Sequence, residues 1–172
     1  MPFPLPFVPH EDYHVSSHHA RYFGAPRDHG KRIHAGCDLF AKLGTAIYAV
    51  DDGVVVDVST SFYHGTGAIA LRHTPGYVVR YCEVLTDSVE NIKRGQRFHA
   101  GDTIAQVGKM FVNSMLHFEL YAGTAMGPLT NRHSHSPYQR RADLMNPTAF
   151  LDKLRGFVGI CHAPVFPNAS GF

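Results

Sequence analysis

Three residues in this 172-residue sequence have the types and spacing needed to bind one metal ion. His34 and Asp38 are four positions apart, with Gly36 between them, and His117 stands far downstream in an otherwise apolar run. An imidazole nitrogen and a carboxylate oxygen both bind zinc, at roughly 2.0–2.2 Å from the ion. The glycine lets the backbone turn where a side chain would crowd the site. A His-x-x-x-Asp pair alone is more often a solvated surface pair, but the addition of His117 favours a zinc site.

His117 belongs to the segment 116–121, whose alternation of side chains predicts a β-strand. Leu116, Phe118 and Leu120 face one side, and His117 and Glu119 face the other. This pattern is typical of a ligand in a lined groove rather than of a core histidine. Glu119 can then support the metal site without binding the ion itself.

Short β-type segments alternate with turn signals through the middle of the chain. The predicted strands are 45–50, 53–58, 67–73, 77–84, 103–107 and 116–121. Asp51-Asp52-Gly53 and Thr74-Pro75-Gly76 are turn signals between them. Residues 143–154 contain the clear helix candidate, with Pro147 acceptable in its first turn. The sequence therefore predicts a mainly β protein built from antiparallel sheet, with a short C-terminal helix.

The chain divides into an arm and one domain. Residues 1–19 are rich in proline and predict an extended arm across the surface of the domain. Residues 20–172 contain no repeat and no long linker, which predicts a single domain. The N-terminus lacks a basic region before its prolines, so no Sec signal peptide is expected. No run of about 18 apolar residues occurs, and a membrane span is not expected either.

Composition narrows the class of partner. The net charge is +2, from 16 basic and 14 acidic residues without a long basic stripe, which makes nucleic acid a poor candidate. Cys37, Cys82 and Cys161 lack the spacing of a zinc knuckle and allow at most one disulfide. Small buried thiols are the favoured interpretation. His133 and His135 alternate in a polar loop, where a second metal ion is conceivable but a surface loop is favoured.

Several motifs occur in the order found in one enzyme family. They are His34-Ala-Gly-Cys-Asp38-Leu39, Gly44–Val50, Asp52–Val55, Gly95–Ile104 and Leu116–Glu119. Over roughly residues 20–122 the chain resembles the lysostaphin-type zinc metalloendopeptidases. The resemblance implies the lysostaphin-type β fold (duplicated hybrid motif) and hydrolysis of peptide bonds in bacterial peptidoglycan. It also implies one Zn²⁺ ion on His34, Asp38 and His117.

Two positions depart from the family pattern. Family members usually have Tyr-x-His where this chain has Tyr81-Cys82-Glu83, and His-x-His where it has Met115-Leu116-His117. Both usual catalytic histidines are therefore absent, while the three expected ligands remain. A carboxylate serves as general base in other zinc hydrolases, and Glu83 is the predicted replacement here. The alternative is that Glu83 orients a ligand or pairs with an arginine.

Four further residues are candidates for substrate binding. Arg21 and Arg27 can bind a substrate carboxylate through bidentate contacts, or hold loops by pairing with acids. Tyr81 and Asn113 can donate a hydrogen bond to the oxyanion that forms during hydrolysis.

The expected function is that of a zinc-dependent peptidoglycan endopeptidase acting in the periplasm or cell wall. Without a Sec signal it would be made in the cytoplasm and exported by another route, as an antibacterial effector or a phage lysis factor. Its partners would then include a secretion machine or an immunity protein. The alternative is a catalytically inactive homologue that keeps zinc and binds the cell wall or a protein partner.

Overall fold

The structure, a computed structural model, describes residues 1–16, 18–131 and 138–158 of the chain. Its strands are β1 Pro26–Arg27, β2 Arg32–Ile33, β3 Cys37–Phe40, β4 Ala46–Tyr48, β5 Gly53–Ser59, β6 Gly67–His73, β7 Val78–Val84, β8 Arg97–Phe98, β9 Thr103–Gln106, β10 Lys109–Met110, β11 Asn113–Tyr121 and β12 Leu144–Met145. One helix, α1, runs over Thr148–Leu154 after Pro147 within these ranges.

Strand β11 is the centre of the main antiparallel sheet. The strands follow the order β10-β11-β7-β6-β5-β8, and β3 and β12 also pair with β11. β7 lies along one edge of β11, while β3 and β12 share its other edge at different positions. β11 therefore receives chain segments from both ends of the sequence. Two small sheets, β1-β2 and β4-β9, complete the strand pairing.

The main core lies against one face of β7 and β11. Leu116, Phe118 and Leu120 are buried there together with Val79 and Tyr81. The side-chain alternation predicted for β11 is thus confirmed. All seven residues of β7 are buried, so its other face is covered as well. That second face carries the charged residues of the candidate site.

The predicted fold class is confirmed as mainly β with a short helix near the C-terminus. The longer strands were predicted to within a few residues. Strand β3 was missed, and so were β2, β8, β10 and β12, whose two residues are too few to show an alternation. Helix α1 begins after Pro147, as predicted, and buries Leu151 and Leu154 in the main core.

The N-terminal arm differs from the prediction. Phe3, Leu5 and Tyr13 are each only 1% exposed and belong to the main core, so the arm does not simply cross the surface. The Tyr13 hydroxyl donates a hydrogen bond to Asp152 in α1 at 2.8 Å. These large apolar side chains give the arm more burial than its prolines suggest. The division at residue 19 stays a prediction.

Some predictions concern residues outside the described ranges. His133, His135, Cys161 and most of the C-terminal stretch lie there. Cys37 and Cys82 are both free and buried, as expected of small apolar thiols. Across the described part of the chain, no helix combines the length and apolar character that crossing a membrane requires.

Candidate metal centre

Pairing of β3 with β11 brings the three predicted ligands together. Asp38 is the direct cross-strand partner of His117, and His34 lies in the turn just before β3. Gly36 makes this turn possible, because a Cβ atom at that position would lie 2.3 Å from the backbone oxygen of Phe118. The glycine predicted to relieve crowding thus does so against the strand that carries His117.

The ligand atoms meet in a small buried triangle. His34 Nε2 lies 3.0 Å from Asp38 Oδ1, and His117 Nδ1 lies 2.8 Å from the same oxygen. The two ring nitrogens are 3.0 Å apart. All three residues are less than one-tenth exposed. The prediction that these side chains meet in space is therefore correct.

The hydrogen bonds of the outer ring nitrogens determine the tautomer of each histidine, and with it the state of the nitrogens that face the triangle. His34 Nδ1 lies 2.8 Å from the carbonyl oxygen of Tyr22, which can only accept a hydrogen bond. His117 Nε2 lies 3.1 Å from Oε1 of Glu119. Each ring therefore carries its proton on the outer nitrogen and turns a lone pair inward when it is neutral. Two lone pairs and a carboxylate oxygen then converge, which is a stable arrangement only around a cation.

This donor set fits zinc. Two imidazoles and one carboxylate are among the ligand sets of catalytic zinc sites. Tetrahedral bonds of about 2.1 Å would place neighbouring ligand atoms about 3.4 Å apart, so the triangle needs to open only by a few tenths of an ångström. The three residues form a candidate metal cluster by geometry alone.

The protonation equilibria also reflect a site that favours positive charge. Burial by itself would lower the pKa of His117, but hydrogen bonds to Asp38 and Glu119 raise that pKa to about 10. Burial opposes ionisation of Asp38, yet hydrogen bonds from His117 and His34 hold its pKa well below the ordinary value. A proton can thus take the place of a metal cation, and zinc must displace it.

Glu119 supports His117 from behind the triangle. It is fully buried, its Oε2 accepts a 2.6 Å hydrogen bond from Tyr121, and its Oε1 accepts one of 2.6 Å from Arg140 Nε. Burial opposes its ionisation, but the charge of Arg140 and the bond from His117 keep the pKa of Glu119 far below its usual range. A carboxylate behind a ligand histidine fixes the ring and its tautomer. Sequence reasoning missed Arg140.

Glu83 reaches the same side of the sheet through a β-bulge. Val84 pairs with Gly67 and Cys82 with Ala68, so Glu83 has no partner on β6. Its φ angle of 62° is in the left-handed region, which is unusual for a residue other than glycine. The bulge shifts the alternation by one position and turns the Glu83 side chain into the groove beside the ligands.

The environment of Glu83 is apolar enough to change its chemistry. The residue is 8% exposed, and its Oε2 has no hydrogen-bond partner among the described residues. Burial raises the pKa of Glu83 to about 7, although the charge of His117 opposes the shift. A buried carboxyl with such a pKa is matched to proton transfer near neutral pH.

The bulge also explains why the prediction for Tyr81 is wrong. Tyr81 is fully buried in the main core, and its hydroxyl accepts a 3.1 Å hydrogen bond from the amide of Val50. Strict alternation would place Tyr81 and Glu83 on one face, but the extra residue separates them. Tyr81 therefore stabilises the sheet and cannot contact a substrate in the groove.

The other predicted substrate-binding residues divide as well. Arg27 lines the groove, where its Nη2 lies 3.3 Å from Asp38 Oδ2. Arg21 instead pairs with Glu11 at 2.6 Å and stacks on Phe40, so it has the structural role that was its alternative. Asn113 is exposed at the start of β11 and does not line the groove.

The groove has a volume of about 590 Å³, and the three ligands form one part of its wall. Glu83 and Met115 line it beside them, at the two positions where the family pattern has histidines. The rest of the lining includes aromatic and cationic residues, among them Phe62, Tyr63, Arg80 and Arg140. Its size and mixed lining suit a peptide rather than a small ion alone.

An antiparallel β fold with a buried His-Asp-His triangle beside a wide groove is the architecture of a metallopeptidase. The model of peptidase family M23 matches residues 32–128, and the chain belongs to that family. The resemblance predicted from the motifs is thus confirmed.

Individual relatives support this assignment. The chain is 32% identical over 102 residues to the peptidoglycan DD-endopeptidase ShyC of Vibrio cholerae, a match that covers 58% of this chain and 23% of that protein. The chain thus spans about a quarter of the length of that relative. The structure of LytU matches with a TM-score of 0.59 and 26% identity, over 86% of this chain and 92% of the other. The catalytic domain of lysostaphin from Staphylococcus simulans has the same fold, with a TM-score of 0.55 and 24% identity over 76% and 90% of the two chains.

Proposed function

We propose that the chain is a zinc-dependent endopeptidase that hydrolyses peptide bonds of bacterial peptidoglycan, with Glu83 as general base. Membership of peptidase family M23 and the DD-endopeptidase relative support the substrate class. The single observation that carries the mechanism is a buried, unpartnered carboxylate in the groove beside the His-Asp-His triangle.

His34, Asp38 and His117 would hold the ion through Nε2, a carboxylate oxygen and Nδ1, which are the atoms that converge in the triangle. Zinc supplies Lewis acidity, which polarises a peptide carbonyl and lowers the pKa of water. Glu119 keeps the lone pair of His117 Nδ1 directed inward by accepting a hydrogen bond from the Nε2–H group of the same ring. These contacts leave one side of the triangle open toward the groove.

Glu83 performs the proton transfer in this proposal. Its ionised carboxylate takes a proton from the attacking water and then delivers it to the amine that leaves. Burial disfavours the charged form of Glu83 and raises its pKa in the metal-free site, which makes the carboxylate a better proton acceptor. The unpartnered Oε2 provides the lone pair for this transfer. Arg27, at the edge of the triangle, stays the predicted contact for the substrate.

Digestion of purified sacculi tests this proposal. Zinc-loaded protein should release soluble muropeptides, and Glu83→Ala should lower the rate by about 100-fold or more, as expected for loss of a general base. Glu90→Ala removes an exposed carboxylate and serves as the matched control with an unchanged rate. Equal rates for the wild type and Glu83→Ala would rule out Glu83 as the base.

The same assay separates the enzyme from the inactive alternative. Protein that binds one zinc ion and sediments with sacculi, but releases no fragments, would be a wall-binding homologue. The replacement of both family histidines, by Glu83 and Met115, is the observation that favours this second candidate. Action in the periplasm or cell wall, with a secretion machine or an immunity protein as partner, belongs to the proposal and needs its own export and pull-down experiments.

A further inference from the structure

Arg80 is a buried arginine in the wall of the groove that the proposed mechanism does not use. It lies on β7 between the core residues Val79 and Tyr81, and its own side chain faces the groove. The side chain is only 7% exposed. Arginine is seldom buried to this extent unless its charge is paired.

The guanidinium group of Arg80 is held in a fixed orientation. The ring of Phe62 lies 4.6 Å from its central carbon, and its Nη1 donates a 2.8 Å hydrogen bond to the hydroxyl of Thr130. Both partners are neutral. They position the planar group without neutralising its charge, which is how a binding site is preorganised.

Glu119 forms an ion pair with Arg80 but no hydrogen bond. Glu119 Oε2 lies 3.8 Å from Arg80 Nη1, beyond hydrogen-bond distance. Its oxygens already accept closer bonds from Arg140, Tyr121 and His117. The Nε of Arg80 has no hydrogen-bond partner among the residues that the structure describes. Two buried guanidinium groups thus share one carboxylate, and Glu119 can offset the charge of only one of them.

We propose that Arg80 is the centre of a carboxylate-binding subsite, and that the groove selects peptides carrying a free carboxylate near the bond to be cut. This inference rests on the proposed function for the identity of the substrate as a peptide. Arg80 presents donors in a plane, which matches the two oxygens of a carboxylate, and the surrounding burial strengthens such a contact. Arg140, whose side chain is 16% exposed beside it, adds to the positive potential.

The strand register gives the position of this carboxylate along the substrate. Arg80 is the cross-strand partner of Glu119, and Cys82 is the partner of His117. Arg80 therefore lies two residues along the strand from the metal centre, or roughly 7 Å. An extended peptide covers a similar distance in two residues, so the carboxylate belongs to the second residue from the bond that is cut.

The test measures binding of short peptides, so that it does not depend on hydrolysis. The protein carries Glu83→Gln to prevent turnover and is titrated calorimetrically with three N-acetylated alanine tetrapeptides. The first has a free C-terminus, the second a C-terminal amide, and the third a C-terminal amide with one alanine replaced by glutamate. The first two differ only in the carboxylate, and the third shows whether a side-chain carboxylate serves instead.

The free carboxylate should strengthen binding by about tenfold or more over the amide, as expected for a buried charged hydrogen bond. Arg80→Gln should remove this preference and leave the amide's affinity unchanged. Arg80→Lys keeps the charge without the planar donors and should retain only part of it. Arg94→Gln is the control, because Arg94 is an exposed arginine that does not line the groove.

Thermal unfolding of each variant shows whether it is folded. Thr130→Val is a smaller change than Arg80→Gln, because it leaves Arg80 in place. It removes only the hydroxyl that positions the guanidinium, and should reduce the preference severalfold. Equal affinities for the three peptides, or no measurable binding of any, would overturn the proposal. A carboxylate preference that persists in Arg80→Gln would do the same. Failure to digest sacculi would instead count against the proposed function, so the two failures are distinguishable.

Discussion

The two halves of the candidate site are built in opposite ways. In the metal half, each ring nitrogen of His34 and His117 lies within hydrogen-bond distance of an oxygen, and both inner nitrogens face Oδ1 of Asp38. In the base half, Glu83 has a left-handed backbone, an unpartnered oxygen and a pKa raised to about 7. The first half is satisfied once a proton or a metal cation occupies the triangle, whereas the Glu83 carboxyl is held in an unfavourable state by its surroundings.

This difference shows which part of the site lowers the free energy of unfolding. A non-glycine residue in the left-handed region and a desolvated carboxyl without a partner each cost free energy. Such features persist only where neighbouring structure imposes them, and here the pairing of β7 with β6 and β11 does so. The half with the left-handed backbone is the one assigned to proton transfer, and the half with regular strand pairing is the one assigned to holding the ion.

The largest effect should come from removing a ligand in the metal half. His117→Ala deletes one of three donors and should reduce bound zinc from about one ion per chain to nearly none, a loss of a hundredfold or more in affinity. Metal analysis after dialysis measures this directly. His99→Ala is the control, because the His99 side chain is 84% exposed and does not line the groove. Full zinc content in His117→Ala would show that the ion binds elsewhere.

The base half should reveal itself through the pH dependence of stability. The pKa of Glu83 is raised from 4.5 to about 7. Between these two pH values the folded state therefore keeps a proton on Glu83 that the unfolded state has already lost. The stabilisation by the protonated group is present below about pH 4.5 and is lost as the pH rises through about 7. Glu83→Gln mimics the neutral acid and should exceed the wild type in stability at pH 8 by up to about 3 kcal/mol.

Denaturant unfolding of the metal-free proteins at pH 4.5 and pH 8 measures this difference. The two proteins should be nearly equally stable at the lower pH and diverge at the higher one. Glu90→Gln changes an exposed carboxylate and should show no such divergence. A constant difference between Glu83→Gln and the wild type at both pH values would contradict the raised pKa.

The two halves also differed in how well the sequence predicted them. The ligand triangle follows from residue types and from the alternation in β11, which has no irregularity between Met115 and Tyr121. The position of Glu83 depends on one extra residue in β7, and no local pattern signals that insertion. Strict alternation would put Tyr81 on the same face as Glu83, but the bulge sends them to opposite faces.

The two arginines that contact Glu119 in the folded chain, Arg80 and Arg140, were also not predicted from the sequence. Arg80 could have been found from the sequence, because a charged residue inside the apolar run 78–84 needs a reason. Arg140 lies in a segment without periodicity, and only the folded chain shows that it reaches Glu119. The fold class and the ligands were thus predictable from pattern, whereas the charged layer behind them required tertiary structure.

A smaller loss of zinc affinity is expected from the layer behind the metal half. Glu119→Gln keeps the shape of the side chain but weakens its hold on His117, and should lower zinc affinity by about 10- to 100-fold. Competition with a chelator of known affinity measures the change. Asp143→Asn alters a carboxylate that is paired with Arg141 away from the groove and should leave zinc affinity unchanged. An equal effect of both variants would indicate general destabilisation instead.

The smallest effects, and the sharpest comparison, should come from one glycine in each half. At Gly108 a Cβ atom would lie 2.6 Å from the backbone oxygen of Glu83. The same oxygen accepts a 2.8 Å hydrogen bond from the backbone amide of Gly108. Gly108→Ala should therefore displace the bulge and slow hydrolysis severalfold while zinc content stays the same. At Gly36 the added atom would meet the oxygen of Phe118 at 2.3 Å, next to His117.

Gly36→Ala should accordingly weaken zinc binding severalfold, because it separates β3 from β11 where Asp38 and His117 are paired. Rate and zinc content measured on both variants give a two-by-two comparison, with Gly156→Ala as the control in open space. If the halves are independent, saturating zinc restores hydrolysis in Gly36→Ala but not in Gly108→Ala. If saturating zinc restored hydrolysis in both variants, or in neither, the two glycine substitutions would have the same effect on the site. The metal ligands and Glu83 would then not be positioned by separate parts of the sheet.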